Sequence, residues 1–128
     1  MSVKRIIILD ENCKPICEVG FEGDMNPVTT QTLSGVIHIA RVELQSLSNE
    51  ELKAIETADD RIEIEKVRGH YIVIIGSLRE EYSWLHEKIK KWLEKNEFDC
   101  EKFKKDIFNY VKTYKPDSIT EFAKQMWG

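Results

Sequence analysis

The sequence predicts one α/β (α+β) domain with the element order β-β-α-β-β-β-α-α. Three observations carry this reading. Two runs, Ile6-Ile7-Ile8-Leu9 and Tyr71-Ile72-Val73-Ile74-Ile75, are continuously apolar and far too short for helices, as in strands covered on both faces. Arg61 to Val67 alternates strictly, with Ile62 and Ile64 set against Glu63 and Glu65, the pattern of a strand with one covered face. Elsewhere, apolar residues recur at spacings of three and four, as amphipathic helices require. A chain of 128 residues, 41% hydrophobic and 33% charged, suits a single core.

Residues 5–9 form the first strand, ended by Asp10-Glu11-Asn12. Cys17, Val19 and Phe21 then alternate with Ile16, Glu18 and Gly20, giving a second strand and a hairpin. Pro15 at its start suits an edge, where a missing N–H does least harm. Asn26-Pro27 reads as a helix start, since proline is tolerated in the first turn. Leu33, Val36, Ile37, Ala40 and Leu44 form the buried stripe of that helix, which runs to about Gln45 or Ser46. Gly35, within it, costs about 1 kcal/mol relative to alanine. It marks either a close backbone approach or a tolerated glycine.

Ser48-x-x-Glu51 has capping-box spacing, but the residues after it favour a three-strand meander. Its strands are Leu52–Thr57, Arg61–Val67 and His70–Ile75, with Arg68-Gly69 as a two-residue hairpin turn. The capping box is then a coincidence or a single helical turn. From Arg79 to about Glu97 the pattern is helical, with Tyr82, Leu85, Ile89, Trp92 and Leu93 on one stripe. Trp84 points about 160° away from it, toward solvent, a partner or a covering C-terminal segment. Asp99 is an N-cap for the last long helix, in which Cys100, Phe103, Ile107, Tyr110, Val111 and Tyr114 share a face and Phe108 stands off it. Lys115-Pro116 ends that helix. The domain therefore spans 1–115, and 116–128 forms a short amphipathic segment with Ile119, Phe122, Met126 and Trp127 behind a second capping box, Ser118-x-x-Glu121.

Charge and cysteine usage narrow the function classes. The net charge is −4 and the pI about 5.5, which argues against a nucleic-acid partner. Residues 1–78 carry 8 basic and 13 acidic side chains, whereas 79–115 carry 10 and 8, an excess of two positive charges that reads as solvated helix surface. No apolar stretch approaches membrane-spanning length, and Ile6–Leu9 is too short for a signal sequence, so a cytoplasmic location is expected. Cys13, Cys17 and Cys100 form an odd set and are expected to be reduced thiols. Neither they nor His38, His70 and His86 supply the paired spacing of a metal site, and no cofactor is expected.

The opening Ile6-Ile7-Ile8-Leu9-Asp10-Glu11, the Lys14-Pro15-Ile16 beyond the turn, the helix start near Asn26-Pro27 and the Ala58-Asp59-Asp60 turn before Arg61-Ile62-Glu63-Ile64 together resemble the longin domain over residues 3–115. Related roadblock domains normally begin with a helix, which favours longin. The resemblance implies a sheet ordered 2-1-5-4-3, with the first helix on one face and the last two on the other. It further implies a non-enzymatic platform of the kind found in SNAREs, trafficking adaptors and regulators of small GTPases, often as homo- or heterodimers. The sequence contains no heptad SNARE helix, so the chain is most similar to stand-alone longin proteins, a kind also found in archaea.

Candidate contact residues can be placed on this frame. His38, Arg41 and Gln45 lie on the outward side of the first helix and could rim a dimer contact. Trp84 is a candidate anchor, and Phe122, Met126 and Trp127 could be presented as a helical ligand. Catalysis by Glu63, Glu65 and His70 is the weaker reading, because no glycine-rich loop or nucleophile elbow accompanies them. Nor does the sequence indicate a base for Cys17 or Cys100 as a nucleophile. A small-ligand sensor is the other alternative, and an internal cavity would distinguish it.

Overall fold

Two tight turns set the pairing of the central strands. Between β1 (Val3–Leu9) and β2 (Pro15–Gly20), the Asp10 carboxylate accepts from the backbone N–H groups of Asn12 at 2.8 Å and Lys14 at 2.9 Å. Between β4 (Asp60–Val67) and β5 (His70–Ser77), Arg68 and Gly69 both take positive φ, 45° and 76°, the geometry whose twist matches a hairpin. Val67 and His70 pair directly across it. The short β3 (Ala54–Glu56) joins β4 through a turn closed by Thr57 N–H to the Asp60 carbonyl at 2.9 Å. All pairings are antiparallel, and the sheet order is β2-β1-β5-β4-β3, with the two apolar runs central as the sequence predicts.

This computed structural model describes residues 3–21, 30–48, 53–78, 80–95 and 97–114, and within 43–48 it describes the backbone alone. Strand alternation divides the core in two. Ile7, Leu9, Ile62, Ile64, Tyr71, Val73 and Ile75 face α1 (Thr30–Ser48) through Leu33 and Ile37. Ile6, Ile8, Cys17, Val19, Ile72 and Ile74 face α2 (Ser83–Leu93) and α3 (Cys100–Thr113) through Leu85, Ile89, Phe103, Ile107 and Val111. As expected, Asp99 caps α3, accepting from Glu101 N–H at 3.0 Å and Lys102 N–H at 3.2 Å.

Several expectations are corrected. The α2 helix is shorter than 79–97 because Tyr82, fully buried, holds a non-helical backbone just before it. Val36 is half exposed, because α1 seats Leu33 and Ile37 on the sheet and rolls Val36 to its flank. Phe108 does not stand free; its ring stacks on Phe21 at 5.5 Å between centroids. Two cysteines are not reduced: Cys17 and Cys100 form a disulfide with a Cα–Cα distance of 5.7 Å. Cys17 faces inward from β2 and Asp99 starts α3 directly over it, which brings residues 83 positions apart within bonding reach. Cys13 stays free and buried, and burial pushes its thiol pKa up despite the nearby Arg41. The expected helix start at Asn26-Pro27, the stop at Lys115-Pro116 and the segment 116–128 lie outside the described residues.

Candidate functional site

The part of α1 that does not rest on the sheet carries an apolar row between the exposed Gln31, Thr32, Gly35 and His38. Val36, Ile39 and Val42 recur every third residue and are 49%, 63% and 46% exposed. On β2, Cys17 and Val19 face α2 and α3, whereas a bulge where the pairing passes from Ile8–Cys17 to Leu9–Pro15 sets Ile16 opposite Leu9, which faces α1, and Ile16 is 40% exposed. These four are the large apolar side chains left exposed among the described residues, and all lie on the same side of the sheet. Gly35 adds no bulk to this side: among the described residues, a Cβ placed there would meet nothing within 4 Å. Ile39 and Val42 escaped the reading of the sequence, although the signal was there in a helix apolar on both sides.

His38 is exposed on α1 as expected. Arg41 is half-buried. Its guanidinium donates to the Tyr71 hydroxyl and lies 5.0 Å from the centroid of that ring, so the side chain turns back onto the sheet. The Gln45 side chain and all of Phe122, Met126 and Trp127 fall outside the described residues. Trp84 is half-buried, stacked on Tyr114 at 3.8 Å with planes 3° apart and tilted against Tyr110 at 5.8 Å. The side of α2 that periodicity assigns to solvent or to the C-terminal segment is thus occupied by the end of α3.

A second cluster lies between β4 and α2. Arg61, Glu63 and Glu65 point to the α2 side because Ile62 and Ile64 take the other. The partner of the glutamates is His86, not His70. His86 Nε2 lies 3.2 Å from Glu63 Oε1, and Nδ1 lies 3.3 Å from Glu65 Oε2 without hydrogen-bond geometry. Burial holds the His86 pKa below its ordinary value, and the carboxylates of Glu65 and Glu63 oppose that shift. A carboxylate can only accept, so the contact with Glu63 is made by a protonated Nε2 that donates. Glu63 also accepts from Arg61 Nε at 2.9 Å, while Glu65 pairs with Lys90 at 2.6 Å, a contact that raises the Lys90 pKa. Sequence reasoning missed His86 because its role depends on where α2 crosses β4. Ser83 lines the same open cleft of about 330 Å³, and no hydrogen bond joins it to His86. The arrangement binds α2 to the sheet and supplies no activated nucleophile among the described residues. His70, for its part, contacts the Arg68 carbonyl in the hairpin turn at 3.2 Å.

No family model matches the sequence, and no curated protein matches it. Among solved structures, the fold is similar to the gliding protein MglB of Thermus thermophilus, with a TM-score of 0.55 and 10% identity over 69% of this chain and 72% of that one. Myxococcus xanthus MglB aligns with a TM-score of 0.49 and 22% identity over 70% and 76%. A roadblock/LC7 domain from Streptomyces avermitilis gives 0.49 and 10% over 88% of each chain. At these identities the likeness concerns the fold. The five-stranded antiparallel sheet with one helix on one face and two on the other is thus of the roadblock/longin-like α+β type, and the likeness does not single out longin.

Proposed function

We propose that this chain is a non-enzymatic protein-interaction platform of longin type that pairs with a second copy of itself through α1 and acts with a small GTPase in the cytoplasm. The observation that carries the reading is the gathering of Ile16, Val36, Ile39 and Val42 on one side of the sheet. Contiguous apolar surface rimmed by polar groups is what an interface looks like before it is covered. A two-fold pair needs a patch that complements itself, and an α-helix laid against its copy does so, with Gly35 permitting close approach. His38 belongs to the polar rim of this contact. The GTPase rests on the longin resemblance of residues 3–115. A small-ligand sensor is less well supported, since the two clefts beside α2 open to solvent and are lined by charged side chains.

The test is affinity capture from source-cell lysate loaded with GDP or a non-hydrolysable GTP analogue, using the wild-type chain and Ile39→Asp as baits. The reading predicts nucleotide-dependent retention of a small GTPase by the wild type and its loss with the variant. Retention of no GTPase, or equal retention by both baits, contradicts it.

A further inference from the structure

We propose that the groove between α2 and α3 is a second docking site, which takes an acidic peptide segment of a partner protein. The groove has a volume of about 730 Å³ and is lined by Lys88, Lys91, Lys95, Lys102 and Lys105. On α2, Lys88 and Lys91 keep the i, i+3 spacing that holds side chains on one face, and Lys95 follows just beyond the end of the helix. On α3, Lys102 and Lys105 do the same on the facing side, so two cationic pairs, each spaced about 4.5 Å along its helix, confront each other. The excess positive charge of this region, read from the sequence as solvated surface, is thereby concentrated in one concavity of a protein whose net charge is −4.

The floor is held by contacts within the domain. Trp92 Nε1 donates to Asp106 Oδ2 at 2.6 Å, Lys95 Nζ sits 3.9 Å over the Trp92 ring, and Lys88 lies 3.5 Å from the same carboxylate. Asp106 is thus the carboxylate set against five lysines, and it is engaged by the floor. Lys91, Lys102 and Lys105 are exposed and form no ion pair with any described residue. Like charges brought together without counter-charge favour an anionic ligand. The concave shape favours a peptide, whose carboxylates reach the lysines of both helices. A flat lipid surface would reach the rim lysines and leave the floor empty.

The probe is a fluorescein-labelled decapeptide of alternating Asp and Glu, read by anisotropy at low and then physiological ionic strength, with an Asn/Gln decapeptide as control. Phosphatidylserine vesicles are tested in parallel by cosedimentation. The acidic peptide is expected to bind, the neutral one not, and affinity to fall as salt rises. Lys91→Glu/Lys102→Glu/Lys105→Glu should weaken binding at least about tenfold with an unchanged circular dichroism spectrum. Should the triple variant misfold, Lys91→Gln, Lys102→Gln and Lys105→Gln taken singly should each weaken it about twofold to threefold. No binding of the acidic peptide, equal binding by the variants, or retention by vesicles without peptide binding overturns the proposal. None of these outcomes bears on α1.

Discussion

One sheet carries two unequal covers. On one face, α2 and α3 bury Leu85, Ile89, Phe103 and Ile107 completely, stack Trp84 on Tyr114 and Phe21 on Phe108, bond Cys17 to Cys100, and seat His86 between two glutamates. On the other, α1 buries Leu33 and Ile37 and leaves Val36, Ile39 and Val42 46–63% exposed, on the same side of the sheet as Ile16. Aromatic stacking, a covalent link and an ionic cluster all fall on the α2 and α3 side, whereas α1 pairs its cover with uncovered apolar surface. The layer with the stacking, the disulfide and the ionic cluster leaves no large apolar side chain exposed among the described residues, and the proposed α1 contact rests on that contrast.

Substitutions sharpen this contrast, the largest effect first. Phe103→Ala in the two-helix layer should destabilise the chain by about 3–5 kcal/mol, whereas Ile39→Ala on α1 should change the stability of the isolated chain by less than about 0.5 kcal/mol. Urea unfolding monitored by circular dichroism, at concentrations low enough to suppress association, checks both. Equal losses would erase the contrast.

Opening the Cys17–Cys100 bond releases a loop of 83 residues from the unfolded chain's constraints, so Cys100→Ser, or reduction of the wild type, should lower stability by about 3 kcal/mol. Denaturation with and without reductant measures this, and an unchanged midpoint would remove the disulfide from the α2 and α3 account.

Acid should act through the same layer. The folded His86 pKa lies below the ordinary value of 6.5 because of burial, so the unfolded state binds the proton more readily. Stability from this group is therefore complete above about pH 6.5 and is lost progressively as pH falls toward the lowered folded value. His86→Gln should flatten this part of the pH profile. A profile that keeps its acid slope in the variant would assign the effect elsewhere.

A small effect of opposite sign lies on α1. Gly35 has open space where a Cβ would go, so Gly35→Ala should stabilise the isolated chain by about 0.5–1 kcal/mol. If a second helix crosses at Gly35, the same substitution weakens self-association. Opposite signs in thermal unfolding of dilute protein and in association would locate the crossing.

Much of the scaffold was legible in residues taken locally. The apolar runs at Ile6–Leu9 and Tyr71–Ile75, the alternation at Ile62–Glu65, the Arg68-Gly69 turn and the Asp99 cap each act within a few positions, and each formed as read. The strand order is nonlocal and came from the longin resemblance. What stayed hidden depends on elements meeting. Periodicity finds a stripe but not which of two apolar sides a helix turns to the sheet, so Val36 was placed inside and Ile39 and Val42 were passed over. Cys17 and Cys100 are far apart in sequence, and His86 meets Glu63 and Glu65 only where α2 crosses β4.

The most direct test of the account is sedimentation velocity across a range of concentrations for the wild type and for Ile39→Asp, with thermal unfolding of dilute samples alongside. The account predicts a reversible dimer for the wild type and a monomer for the variant, with the two melting alike. A wild type that stays monomeric at every concentration, or a dimer untouched by the Ile39→Asp charge, would contradict the claim that α1 is where this protein meets its copy.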